Sequence, residues 1–185
     1  IGLGNVASEF FRLLAPFDCK RLAFDPWKKS EEAKDLGVQL VDLNVLLESC
    51  DVVIVTAALT QDTHHMLSTN QFKLMKNSAI LINISRGPIV DEAALIHALQ
   101  SKEIAAAGLD VFEVEPIDKA NPLMEMDNVI VTPHNLAWTD ELALGMGKSA
   151  FSSIKAISRG DIPTFVVNKD VLDTDAFKEK LATYK

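Results

Sequence analysis

The sequence predicts an α/β domain built on a doubly wound parallel sheet, and three observations carry that prediction. Short strand-like apolar runs alternate with helix-like segments, the pattern of crossover units that feed parallel strands. A glycine turn, Gly2-Leu3-Gly4-Asn5-Val6-Ala7, stands directly before the first helical pattern. Arg86, Glu115 and His134 each follow a strand-like run, which would gather a guanidinium, a carboxylate and an imidazole at one edge of the sheet.

Taken in order, Ile1-Gly2-Leu3-Gly4 reads as the last residue of a buried strand followed at once by a turn, so the start of the domain is expected upstream. There is no initiator Met and no charged, then apolar leader, and a piece of a larger soluble protein is expected. Val6, Phe10, Leu13 and Leu14 fall at helical spacing until Pro16 stops the run. Arg21 to Asp25 is the next strand. Ser30 to Leu36 is a short helix ended by Gly37, followed by a short strand at Val38 to Val41 and a helix at Leu43 to Glu48. Asp51 to Thr56 reads as a fully buried strand, and Ala79 to Asn83, Gly108 to Phe112 and Val129 to Pro133 as three more. Asp91-Glu92 opens a helix with an acidic first turn and a Leu95, Ile96, Leu99 stripe. A long helix is expected from Thr139 to Ser158, ended by Gly160. The sheet should hold about six or seven strands, with the domain spanning residues 1–165 and a tail, 166–185, carrying a short amphipathic helix with Phe177 and Leu181.

With 185 residues and 48% hydrophobic content the chain can bury a sizeable core. A net charge of -8 without a Lys/Arg cluster argues against a nucleic-acid partner. No stretch suggests a membrane partner. Cys19 and Cys50 form no metal-ligand spacing or disulfide framework, so both are expected to pack as small apolar groups in a reducing, cytoplasmic setting. His64, His65 and His97 lack strand-end placement and read as solvent or packing residues, and no metal site is expected.

The glycines point to a dinucleotide. A pyrophosphate must approach the backbone and meet the positive end of a helix; Gly2 permits the turn, Gly4 removes an obstructing Cβ, and Ala7 allows close helix packing. Asp25 ends the next strand about 20 residues on, where a carboxylate can accept from both ribose hydroxyls and repel a 2′-phosphate. That favours NAD, although Arg21 and Lys28 lie close in sequence and Asp25 also suits a turn before Pro26. Arg86, in Ser85-Arg86-Gly87, stands where ligands of open α/β sheets bind, and its planar guanidinium suits a carboxylate; the alternative is a surface Arg in a turn. His134 after Pro133 would alone suit a surface or capping role, but Glu115 supplies a carboxylate that would fix its tautomer and favour imidazolium.

Asn83-Ile84-Ser85-Arg86-Gly87, Asp110-Val111-Phe112-Glu113-Val114-Glu115-Pro116 and Thr132-Pro133-His134, with the glycine turn, resemble the NAD-binding half of the D-isomer-specific 2-hydroxyacid dehydrogenases, from Ile1 to about Asn168. The resemblance implies a Rossmann-type domain whose N-terminal substrate-domain half is missing, NAD as cofactor, and interconversion of a 2-oxo acid and a D-2-hydroxy acid. It makes His134 the acid/base, Glu115 its partner and Arg86 the substrate-carboxylate anchor. It assigns Gly2, Gly4, Asn5, Val6, Asp25, Thr56, Leu59, Thr60, Ile84, Ser85, Arg86, Asp110 and His134 to cofactor contact, with Asp110 toward the nicotinamide carboxamide. A homodimer through the NAD domain is also implied. Ala58 departs from the family's usual Pro before Leu-Thr, and Asn135-Leu136-Ala137-Trp138-Thr139 departs from its small residues; Trp138 would either line the pocket or pack on the core. Formate dehydrogenases resemble this pattern with Gln at the position of Glu115. The alternative class is a non-enzymatic NAD-sensing module similar to corepressors of this fold.

Overall fold

Four short apolar runs, three of them rich in β-branched residues, pair as the main sheet of the computed structural model, which describes residues 1–184. β3 (Val52–Val55), β4 (Ile80–Asn83), β5 (Ala106–Leu109) and β6 (Val129–Val131) lie side by side in that order, all parallel. Val55 pairs with Asn83, Asn83 with Leu109 and Leu109 with Val131, so the carboxyl ends of the four strands finish in line. A second parallel pair is formed by β1 (Leu22–Ala23) and β2 (Gln39–Leu40).

Ile1 and Gly2 join the two. The Ile1 amino group donates to the Ile54 carbonyl (2.7 Å) and Thr56 N–H to the Ile1 carbonyl (2.9 Å), while Gly2 N–H donates to Phe24 (2.8 Å). The spatial order is therefore β2, β1, Ile1-Gly2, β3, β4, β5, β6, and the direction of winding reverses at the glycine turn. Such a reversal opens a crevice at the strands' carboxyl ends, where ligands of this architecture bind. The expected doubly wound sheet is present.

Three helices cover one face of the four-stranded sheet. α3 (Leu43–Ser49), α4 (Thr69–Leu74) and α5 (Glu92–Gln100) bury Leu47, Phe72, Leu95 and Leu99 in one core with Val53, Val55, Leu81 and Leu109. α1 (Asn5–Leu13) and α2 (Ser30–Lys34) close a smaller core of Leu3, Ala7, Ala23, Ala33 and Val38. Removing a fully buried aromatic such as Phe72 would cost about 3–5 kcal/mol, more than any capping contact here. The Asp91 side chain caps α5 by accepting from Ala94 N–H, and Ser68 with Gln71 forms a capping box on α4.

Several expectations need correction. β1 and β2 are two residues each, shorter than their apolar runs, because only those residues complete parallel ladders. β3 is not fully buried: Val52 is half-exposed beside an open cavity of about 860 Å³ between α1, β1 and β3. α1 buries only Ala7 fully, with Phe11 partly buried against the same core, and leaves Val6, Phe10 and Leu13 exposed. Cys19 is exposed, since it lies in the turn after α1; only Cys50 is partly covered. Helix α4 has no counterpart in the periodicity reading, because six residues are too few to show a helical stripe.

The chain divides into two compact units, Ile1–Leu136 and the residues from Ala137 onward. The second holds α6 (Asp140–Ile157), started by Thr139 whose hydroxyl accepts from Leu142 N–H, and α7 (Asp175–Ala182). The expected end of α6 before Gly160 is observed, with Gly160 in the left-handed region at φ +71°.

Candidate active site

The glycine turn is held from three sides. Gly2 has φ +85°, and a Cβ there would lie 2.6 Å from the Ala57 Cα, so both conformation and packing demand glycine. The Thr56 hydroxyl donates to the Gly2 carbonyl (2.8 Å). Asp25 staples the turn to the end of β1: one oxygen accepts from Leu3 N–H (2.8 Å), the other from Trp27 N–H (2.9 Å). A Cβ on Gly4 would meet no atom within 4 Å, and no side chain caps α1. This combination fits a dinucleotide: an uncapped helix start whose first-turn amides, from Asn5 and Val6, meet open space over a glycine, where an anion is favoured.

Two further loops border the crevice. Leu59 and Thr60 are exposed, and the turn they belong to is tied internally by Thr63, whose hydroxyl donates to Ala58 O and accepts from Thr60 N–H, each at 2.7 Å. Ser85 donates its hydroxyl to the Ala57 carbonyl, and its N–H donates to Asn83 Oδ1 (3.1 Å). Asn83, fully buried, also donates to the Arg86 carbonyl (3.1 Å), so its amide shapes the turn that runs through Ile84 and presents Arg86. That role escaped the sequence reading; a polar residue ending a buried strand is the signal that could have found it.

The three chemistry-bearing residues come together. His134 Nδ1 lies 2.8 Å from Glu115 Oε2, and the other Glu115 oxygen accepts from Phe112 N–H (3.0 Å). Burial raises the Glu115 pKa, but the hydrogen bonds from His134 and Phe112, and then the positive charges of His134 and Arg86, outweigh it and hold the carboxyl below its ordinary value. Arg86 is exposed, with Nη1 donating to the Ser85 carbonyl (2.6 Å). Its turn is pressed against the Glu115 loop: a Cβ on Gly87 would fall 1.9 Å from the Phe112 carbonyl carbon.

Asp110 is buried, and its carboxylate accepts from the Thr132 hydroxyl (2.6 Å), Asn135 N–H (3.0 Å) and Leu136 N–H (3.3 Å). Burial works to raise its pKa, yet these bonds and the charge of His134 bring it below the ordinary range. The bonded segment contains His134 in the left-handed region, φ +53°, a conformation that needs such support in a non-glycine residue. Trp138 is 81% exposed. His65, expected to be a bystander, pairs through Nε2 with Glu113.

The family of the D-isomer specific 2-hydroxyacid dehydrogenase NAD-binding domain matches residues 1–135, most of the chain. The chain belongs to this family. It is 45% identical over 170 residues to a Staphylococcus haemolyticus protein assigned by name to the 2-hydroxyacid dehydrogenases, covering 91% of this chain and 53% of that protein. It is 38% identical over 172 residues to a glyoxylate reductase of Korarchaeum cryptofilum, covering 93% and 52%. Among solved structures, the D-lactate dehydrogenase of Lactobacillus jensenii with NAD+ superimposes with a TM-score of 0.82 at 34% identity, over 90% of this chain and 54% of that one. This dehydrogenase domain thus spans about half the length of the relatives it matches, and its cofactor is NAD.

Proposed function

We propose that this domain is the cofactor-binding and proton-handling half of an NAD-dependent oxidoreductase that interconverts a 2-oxo acid and a D-2-hydroxy acid. The observation that carries it is the His134–Glu115 pair beside Arg86, at the ends of neighbouring parallel strands. Gly2, Gly4, Asn5, Val6, Asp25, Thr56, Leu59, Thr60, Ile84, Ser85, Arg86, Asp110 and His134 are the residues assigned to contact NAD, with Asp110 assigned toward the nicotinamide carboxamide and also bracing the 132–136 segment. When bound, the nicotinamide supplies or accepts the hydride.

The chain's own residues do the rest. Arg86 binds the substrate carboxylate as a charged fork and orients the carbon that reacts. With Nδ1 facing Glu115, Nε2 of His134 gives a proton to the developing alkoxide in reduction and takes it back in oxidation. Glu115, kept ionised, stabilises the imidazolium and fixes the ring. Relatives named as glyoxylate reductase and D-lactate dehydrogenase favour this over a non-enzymatic NAD sensor. We assign a homodimer through the NAD domain, to be read by sedimentation equilibrium, and a cytoplasmic setting; no described helix is long and apolar enough to cross a membrane.

The test grafts this chain onto the upstream half of the Korarchaeum cryptofilum relative and follows NADH oxidation with a panel of 2-oxo acids. Turnover that falls by about 100-fold or more in His134→Ala, the usual reach of a positioned acid/base, supports the assignment. Turnover that survives that substitution overturns it. Asp25, where a 2′-phosphate would have to sit, should make NADH bind more tightly than NADPH in fluorescence titrations, and equal affinities would count against it.

A further inference from the structure

A second histidine-carboxylate pair lies one step behind the first. His65 Nε2 contacts Glu113 Oε1, and Glu113 is two residues before Glu115. The main chain around His65 is laced to the segment that follows Arg86: His65 N–H donates to the Pro88 carbonyl (2.8 Å), Leu67 N–H to Ile89 (3.1 Å), and Asp91 N–H to Leu67 (2.9 Å), with Leu67 and Val90 bridged in parallel. His65 adopts φ +50°, a left-handed conformation that aims its ring across to the Glu115 loop, and the His64 ring stacks on it with centroids 4.1 Å apart. Glu113 is fixed from the other side as well. Its N–H donates to Glu92 Oε2 (3.2 Å), while Glu92 Oε1 accepts from Asn121 (2.6 Å).

We propose that His65 is a positioning residue for the acid/base: through Glu113 it ties the loop carrying Glu115 to the segment behind Arg86, and so sets Glu115 against His134. The inference rests on the reading of Glu115 and His134 as the proton-handling pair. Phe112 N–H bonds the Glu115 carboxylate, so the position of residues 112–113 is transmitted to that carboxylate through one hydrogen bond. The backbone contact of Gly87 with Phe112 fixes how closely the two loops approach, and the His65–Glu113 pair fixes how one is turned relative to the other. The left-handed conformation of His65 is held by its Pro88 backbone bond and its Glu113 partner.

The tautomer of His134 reports this directly. While Glu115 faces Nδ1, the neutral ring carries its proton there; if Glu115 is displaced, the proton redistributes toward Nε2. Both tautomers are neutral, so a distant charge barely distinguishes them, whereas loss of the Nδ1 acceptor does. Proton–nitrogen correlation spectra of the imidazoles in the 185-residue chain, at a pH where histidine is neutral, read the ratio of the two forms. Glu115→Ala, the control, removes the acceptor and should lower the Nδ1–H to Nε2–H ratio by about tenfold, the worth of one hydrogen bond. His65→Ala and Glu113→Ala should each lower it by at least about threefold, and the double variant no further than the larger single one, because the two act through one contact. A ratio that moves with Glu115→Ala but with neither His65→Ala nor Glu113→Ala makes the second pair a structural latch and overturns the inference alone. A ratio unmoved even by Glu115→Ala removes the underlying pair. Should His65→Ala fail to fold, Glu113→Ala decides by itself.

Discussion

At the scale of single residues, Asp110 shows how a carboxylate can serve a site without touching substrate. It accepts three hydrogen bonds from Thr132, Asn135 and Leu136 in a buried position, and those bonds hold His134 in its left-handed conformation. Replacing it by asparagine removes the charge and turns one acceptor into a donor facing N–H groups. We expect Asp110→Asn to cost about 2–3 kcal/mol at neutral pH, the range for hydrogen bonds to a charged group. The pH dependence follows from the sign of the shift: the folded carboxyl lies below its unfolded value of roughly 3.9, so its contribution is complete above that value and is lost as pH falls through the lower folded one. Urea unfolding at neutral and strongly acidic pH should show the wild-type advantage over Asp110→Asn shrinking in acid; an advantage that stayed constant would refute it. Arg86, Glu115 and His134 were legible as candidates in the sequence because each is a polar residue within a few positions of an apolar run. The contacts of Asp110 and His65 reach residues 22 to 48 positions away, which no local pattern encodes, whereas Asn83 bonds Ser85 and Arg86 close by in sequence.

At the scale of elements, the glycine turn sets two requirements, which the sequence reading assigned to Gly2 and Gly4 respectively. Gly2 is demanded by the protein itself, through its positive φ and the Ala57 backbone 2.6 Å from where a Cβ would stand. Gly4 has an extended conformation and empty space around its missing Cβ, so only a ligand can demand it. Gly4→Ala should therefore leave stability within about 1 kcal/mol, the cost of a poorer helix N-cap, and weaken NADH binding by about tenfold or more. Gly2→Ala should lower the melting temperature before it affects any ligand. Thermal melts beside NADH titrations distinguish the two, and a Gly4→Ala protein with unchanged affinity would mean that the pyrophosphate does not approach there. The same distinction explains which elements were readable. α5 has a capping aspartate and a buried stripe of Ala94, Leu95, Ala98 and Leu99, and its start was found to the residue. α1 shows apolar helical spacing but buries only Ala7, because burial depends on what lies opposite and not on the spacing. α4 shows no period over six residues; its capping pair, Ser68 with Gln71, was the available signal.

At the scale of the whole molecule, the groups we assign to catalysis sit on a surface. Arg86, Glu115 and His134 are all exposed residues, and no described cavity includes them; the 860 Å³ space lies instead between α1, β1 and β3. Hydride and proton transfer gain most of their advantage from a closed, dry site in which electrostatic interactions are strong and reactants are held in contact. This chain spans about half the length of the relatives it matches. The fold of the cofactor half depends little on any of this, since its two cores lie within Ile1–Leu136. Binding and turnover should then separate: the 185-residue chain binds NADH, with the affinity set by the glycine turn and Asp25, yet reduces 2-oxo acids at least 100-fold more slowly than the full-length Korarchaeum cryptofilum relative assayed beside it, a barrier difference of about 2.7 kcal/mol. Stopped turnover with intact NADH binding is the expected result. Turnover within about tenfold of the relative, a difference of only ~1.4 kcal/mol, would mean that an open face with Arg86 and His134 suffices, and that closure contributes little to this chemistry.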